Sequence, residues 1–206
     1  MACGAGFLAC AFAPRARWVY GIDLSRRMVH EAHTLARTRG HHNTAFCQAD
    51  AEALPFGHDV CDLITSKLAF HYFPHPQVAL AEMVCVATHE ARVVLIDRVS
   101  PEDSEQRAYQ NRLEKLRTPS KTYVYSESQL VAALEGVGLV VDAQARYAEA
   151  IEVDAWLRAA GVDEPTAHMI LTLLTADGDP AGLQVRREGD RLLMTHQTVV
   201  LVVRRR

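Results

Sequence analysis

Dense apolar runs and stretches of helical spacing take turns along this chain. Trp18-Val19-Tyr20-Gly21-Ile22 is the first β-rich run, and it ends on Asp23. Ser25 then offers a helix cap, and Met28, Val29, Ala32, Leu35 and Ala36 recur at helical intervals until Gly40 and Asn43. Thr44–Ala49 reads as a second strand, with Asp50, Ala51 and Glu52 at its C-terminal end. A turn at Leu54-Pro55-Phe56 leads to a third strand, Val60–Ser66. Pro76–Thr88 reads as a helix with Val78, Leu80, Ala81, Met83 and Val84 among its apolar positions. Ala91–Asp97 is an almost continuous apolar run, as for a strand covered on both faces. This alternation predicts an α/β fold with a largely parallel sheet.

The second half changes character. Ser104–Leu116 is polar with helical spacing, and Thr118-Pro119-Ser120 interrupts it. Ser126–Glu135 is a capped helix ending at Gly136 and Gly138, and Leu139-Val140-Val141 begins another strand. Two short helices follow at Asp154–Ala160 and Pro165–Thr175, then a loop at Asp177–Pro180 and a final strand at Thr198–Val203. A strand that late, after helical insertions, predicts an antiparallel edge hairpin. No repeat or linker interrupts the chain, so we expect one domain over residues 1–206, with helical caps around 104–125 and 150–190.

Composition narrows the classes. The 206 residues are 49% hydrophobic and 23% charged, which suits a globular chain. A net charge of −3 argues against a general nucleic-acid binder. Arg204-Arg205-Arg206 reads as a solvated tail. The five cysteines form no Cys-x-x-Cys pair and read as buried free thiols of a reducing cytosol, so we expect a cytoplasmic protein. No run approaches ~18 apolar residues, so no spanning helix is expected. Phe7–Ala13 before Pro14 has the look of a signal peptide, but no basic residue precedes it and glycines open it.

Candidate chemistry concentrates at the start. In Cys3-Gly4-Ala5-Gly6 the glycines permit a tight turn into the helix Phe7–Ala13, and Asp23 closes the next strand. A loop of this kind brings backbone amides to an anionic ligand group, and the strand-end acid is placed to accept from ribose hydroxyls. His71 and Tyr72 follow the third strand, and taken alone His71 reads first as an ordinary partly buried histidine. His71-x-x-x-His75 has metal-like spacing, but Pro74 breaks the helix that would align it, so no metal site is expected.

These segments, in this order, resemble the class I S-adenosylmethionine-dependent methyltransferases, and within them the small-molecule branch of ubiquinone/menaquinone C-methyltransferases. The likeness is strongest from residue 2 to about residue 103. Cys3-Gly4-Ala5-Gly6 resembles the family's glycine motif, and Gly21-Ile22-Asp23-Leu24-Ser25 its second-strand acid and helix cap. Asp50-Ala51-Glu52-Ala53-Leu54-Pro55-Phe56 resembles its adenine segment. Ala69-Phe70-His71-Tyr72-Phe73 with Pro76 resembles the segment after its fourth strand. The resemblance implies a Rossmann-like, doubly wound, mostly parallel sheet with an antiparallel last strand. It implies S-adenosylmethionine as cofactor, held by Ala2, Cys3, Gly4, Gly6, Asp23, Leu24, Asp50, Ala51, Lys67 and Phe70. It also implies methyl transfer to a small aromatic or lipid-like acceptor, with His71 and Tyr72 as candidate catalytic residues where the substrate pocket opens. Charge and hydropathy add the expectation of no nucleic-acid partner and no membrane insertion.

Two departures bear on that picture. The family's apolar strand before the glycine turn has no counterpart, and its usual first glycine is Ala2. That strand lies mid-sheet, between residues 18–23 and 60–66, so the expectation is a truncated chain with the central strand missing. A second reading is therefore a truncated, catalytically silent cofactor-binding or interaction module. A third is a nicotinamide-dependent oxidoreductase, disfavoured by the lack of a third glycine and by Asp50-Ala51.

Overall fold

The computed structural model describes residues Met1 to Arg206. Strands β1 (Val19–Asp23) and β2 (Thr44–Gln48) pair in parallel. Helix α1 (Phe7–Phe12) precedes them, and α2 (Arg26–Thr38) connects them. Ser25 caps α2 by accepting from the Met28 amide, as its side-chain chemistry favours. Ala9 and Cys10 of α1, Ala32 and Ala36 of α2, and Phe46 of β2 form a small core.

The larger sheet holds β3 (Cys61–Lys67), β4 (Ala87–Val99), β5 (Leu139–Glu152), β6 (Arg186–Glu188) and β7 (Arg191–Arg205). Its order is β3-β4-β7-β5, with β6 as a short hairpin arm on β7. β3 and β4 are parallel, and β7 runs antiparallel to both β4 and β5. Strand β7 is thus the reversed strand of a sheet whose other members share one direction. Helices α3 (Pro76–Val86) and α5 (Glu127–Gly136) cover one face, where Leu80, Met83, Leu130 and Leu134 pack on Leu95, Val199 and Leu201. A complete capping box of Ser126 and Gln129 starts α5. Helices α4 (Ser104–Arg117), α6 (Val153–Ala160) and α7 (Glu164–Leu174) build a second core from Leu113, Trp156, Leu157 and Ile170 with Met194 of β7.

Three expectations need correction. The last strand is no edge hairpin: β7 is fifteen residues long and lies inside the sheet, while β5 forms the edge. Helix α3 ends at Val86, because Ala87 already pairs with Cys61 and β4 starts there. Not every thiol is buried, since Cys47 faces solvent; all five are free.

Between β1 and β3 no ladder forms, where residues 18–23 and 60–66 were expected to lack a neighbour. Met1–Cys3 occupy the head of that gap. The Met1 ammonium donates to the Thr65 carbonyl at 2.6 Å, and the Cys3 amide donates to the Ile22 carbonyl at 2.8 Å. Tyr20 and Leu63 are exposed on these strands, as is Val60 just before β3. The parallel pairs diverge from this gap, which makes it the topological switch point, the position where open α/β sheets bind ligands.

Candidate active site

The glycine turn closes onto the strand-end acid. The Gly4 amide donates to Asp23 Oδ2 at 2.8 Å, and the Ser25 amide donates to Oδ1 at 2.9 Å. A carboxylate has about four lone-pair directions, so each oxygen keeps capacity for a further donor. Gly4 and Gly6 both have positive φ, at 52° and 83°. Their surroundings differ. A Cβ built on Gly4 meets no atom within 4 Å, whereas one on Gly6 would stand 2.8 Å from Ala32 Cβ. Gly4 thus borders open space, and Gly6 lets α1 lie against α2. Ala2 also has positive φ, 47°, so the residue at the family's glycine position adopts the conformation that glycine favours. The Cys3 thiol is pushed up to about 11, first by burial and then by Asp23, so it stays protonated beside that carboxylate.

The other sequence-designated positions fall around the same strand ends. Leu24 is exposed just after β1. Asp50 follows β2 and accepts the Glu52 amide at 2.9 Å, with Ala51 buried next to it. Lys67 ends β3, and Leu68 turns the chain there at φ 53°. Phe70 differs: at 1% exposed it packs on Phe73 and Tyr125 in the core, so its side chain offers no surface to a ligand. An open cradle at Gly4 beside a half-buried acid fits a cofactor with a ribose and an amino-acid portion.

His71 is buried and its Nδ1 lies 2.6 Å from Asp97 Oδ1. The Asp97 carboxylate also accepts the His71 and Arg98 amides at 3.3 and 2.7 Å. A carboxylate at Nδ1 places a proton there and leaves Nε2 as the lone-pair nitrogen of the neutral ring. Nε2 has no protein partner, and it is not among the sealed polar atoms. The cap clamps the same residue, because the Thr122 amide and hydroxyl donate to the His71 carbonyl at 2.9 and 2.8 Å. The Tyr72 ring lies 4.5 Å from that of His71. Burial, opposed by Arg117, raises the Tyr72 pKa and keeps the phenol protonated. His75 goes elsewhere, pairing with Glu52 at 2.8 Å, so the two histidines of the metal-like spacing serve different carboxylates.

Sequence reasoning missed Asp97 as the partner of His71. The available signal was an acid ending an otherwise apolar strand. It also missed a polar group under the cap. Glu114 and Lys121 pair at 2.6 Å, both nearly sealed. Burial would raise the Glu114 pKa, but Lys121, with Arg98 adding to it, outweighs burial and holds the carboxyl below its ordinary range. Burial lowers the Lys121 ammonium against the pull of Glu114. His196 Nε2 stands 3.7 Å from Glu114 Oε1, yet burial, reinforced by Arg98, drives its pKa down to about 3. The approach is therefore that of a neutral ring to a carboxylate, with no ion pair.

Comparisons with known proteins place this geometry in a family. The methyltransferase domain family matches residues 1–95. The uncharacterized methyltransferase YcgJ of Bacillus subtilis is 32% identical over 178 residues, 86% of this chain and 70% of that protein. Its crystal structure superposes with a TM-score of 0.94 at 28% identity, covering 100% of this chain and 89% of that one. A putative methyltransferase structure from Bacillus halodurans also reaches a TM-score of 0.94, at 22% identity over 98% of this chain and 89% of that one, and shows the shared fold. This chain belongs to the class I S-adenosylmethionine-dependent methyltransferases. No helix is long and apolar enough to cross a membrane.

Proposed function

We propose that this methyltransferase acts on a small aromatic or lipid-like acceptor, bound between the strand ends and the caps at 104–125 and 150–190, with His71 as its base. The His71–Asp97 pair carries the reading: a buried imidazole with its Nδ1 proton fixed and its Nε2 lone pair uncommitted. Around the cofactor, Gly4 leaves room for the amino-acid portion and Asp23 accepts from the ribose hydroxyls. Asp50 accepts from the adenine amine, the Ala51 amide donates to a ring nitrogen, and Ala2, Cys3, Leu24 and Lys67 line the walls. When bound, S-adenosylmethionine supplies a methyl carbon already activated by its sulfonium, so alignment provides most of the acceleration. His71 Nε2 removes the acceptor's proton from an oxygen or an acidic carbon, and Asp97 holds the resulting imidazolium in place. Protonated Tyr72 donates a hydrogen bond to an acceptor oxygen beside the reacting atom. The reading takes a small molecule rather than a nucleic acid as acceptor, and the free thiols favour the cytosol.

The test has two parts. Calorimetric titration with S-adenosylhomocysteine should show saturable binding that Asp23→Ala weakens by ~10- to 100-fold. In turnover, His71→Gln and Asp97→Asn should each lower kcat by roughly 10²- to 10⁴-fold, with product affinity held within about twofold. Unchanged kcat in His71→Gln would remove it as the base.

A further inference from the structure

We infer that the acceptor carries an anionic oxygen group, in the first place a carboxylate, gripped by Arg98 with Arg117 behind it. The inference rests on methyl transfer at His71 and adds what is transferred to. Arg98 follows Asp97 in β4, so their side chains leave opposite faces of the strand, Asp97 toward His71 and Arg98 toward the cap. Its backbone amide is committed to Asp97, but its guanidinium makes no hydrogen bond or ion pair, and none of its nitrogens is sealed. Arg98 is half-buried, and it stands opposite Thr198 in the sheet register. Thr198 shares a face of β7 with His196, which brings Arg98 to the polar group under the cap.

Arg117 enters from the other side. Its Nε donates to the Trp156 carbonyl at 2.9 Å, its guanidinium lies 4.5 Å from the Trp156 ring centre, and that ring sits 6.0 Å from His196. No carboxylate partners it. Arg98, Arg117 and Lys121 thus face a single carboxylate, Glu114, which Lys121 already occupies. Asp97 adds no balance, being taken up by His71 and two amides. Tyr72 joins the regions: its ring lies tilted against that of His71, and its phenol is within electrostatic reach of Arg117, Glu114, Asp97 and Arg98. Burial, opposed by Glu114 and reinforced by Arg98, holds the Arg117 guanidinium below its ordinary pKa, and an incoming carboxylate relieves this by fork-to-fork hydrogen bonds.

The test uses the full chain saturated with S-adenosylhomocysteine. Calorimetry would compare ortho-, meta- and para-hydroxybenzoate with their methyl esters. At least one acid should bind about 10-fold or more tightly than its ester, and Arg98→Gln should weaken that acid by about 10- to 100-fold while leaving the ester within about twofold. Arg98→Lys, which keeps the charge but loses the fork, should retain part of the preference. Thermal melts of both variants confirm folding, which the absence of any Arg98 side-chain partner favours. Hydroxyphenyl phosphate displacing the preferred acid would make the anion a phosphate ester and still support the site. The proposal is overturned if no acid outbinds its ester, or if Arg98→Gln keeps the preference. Failure of S-adenosylhomocysteine itself to bind would instead strike at the methyltransferase reading.

Discussion

Gly4 and Gly6 stand two residues apart in one turn, yet the structure assigns them different tasks. At Gly4 an added Cβ meets no protein atom within 4 Å, and only the positive φ resists it. We expect Gly4→Ala to cost about 1 kcal/mol of stability and to weaken S-adenosylhomocysteine by about 10-fold or more, because the methyl enters the ligand's space. At Gly6 the methyl would stand 2.8 Å from Ala32 Cβ, with Phe46 at 3.3 Å behind it. Gly6→Ala should therefore unfold more easily, by roughly 2–3 kcal/mol, before affinity is considered. Urea titration beside calorimetry separates the two. Equal losses of stability would refute the distinction. The motif was legible in sequence because glycine spacing is local. The division of labour was not, because Ala32 arrives from a helix whose approach no local pattern encodes. His71 was likewise legible and Asp97 was not: they are 26 residues apart, joined only by the pairing of β3 with β4.

At the scale of elements, strands and helices were legible wherever apolar residues repeat, and their ends were lost where polar residues continue the strand. The apolar run Thr198–Val203 is the sheet-covered part of β7. Residues 191–197 extend it toward the cap, where helices rather than a second sheet supply burial. His196 sits in that extension, and Ala148–Ala150 of β5 pair with it while remaining exposed. Helix α4 shows the same limit, since its polar composition concealed Glu114 at 2% exposed. The buried ion pair that Glu114 makes gives a sharp expectation. Lys121→Met takes from the buried Glu114 carboxylate its hydrogen-bonded partner, leaving only the more distant arginines, and should cost up to about 3–5 kcal/mol in urea unfolding. The double variant Glu114→Leu/Lys121→Met removes both charges and should recover most of that loss. Additive losses would mean that the pair is not coupled.

Over the whole molecule, the break between β1 and β3 places the cofactor cradle on one unit and the dyad with the cap on the other. Met1–Cys3 touch both at that edge, through the Thr65 and Ile22 carbonyls. Stability of the second unit depends on charges that acid will disturb. His196, with Glu114, Lys121, Arg98, Arg117 and Trp156 around it, is held neutral with a pKa of about 3, against 6.5 for an ordinary imidazole. The folded pKa lies below the unfolded one, so on acidification the unfolded chain takes the proton first. Stability should then fall as pH drops below about 6.5, by up to ~1.4 kcal/mol per pH unit from this ring, and go on falling toward pH 3. Glu114, whose carboxyl is also held low, pushes in the same direction at the acid end. Urea unfolding at about pH 7, 6 and 5 should show the wild-type chain losing about 2 kcal/mol more over that interval than His196→Gln, which has nothing to titrate. The variant's absolute stability is immaterial, because the comparison rests on slopes. Parallel slopes would place His196 in a more hydrated site than the burial of its ring implies.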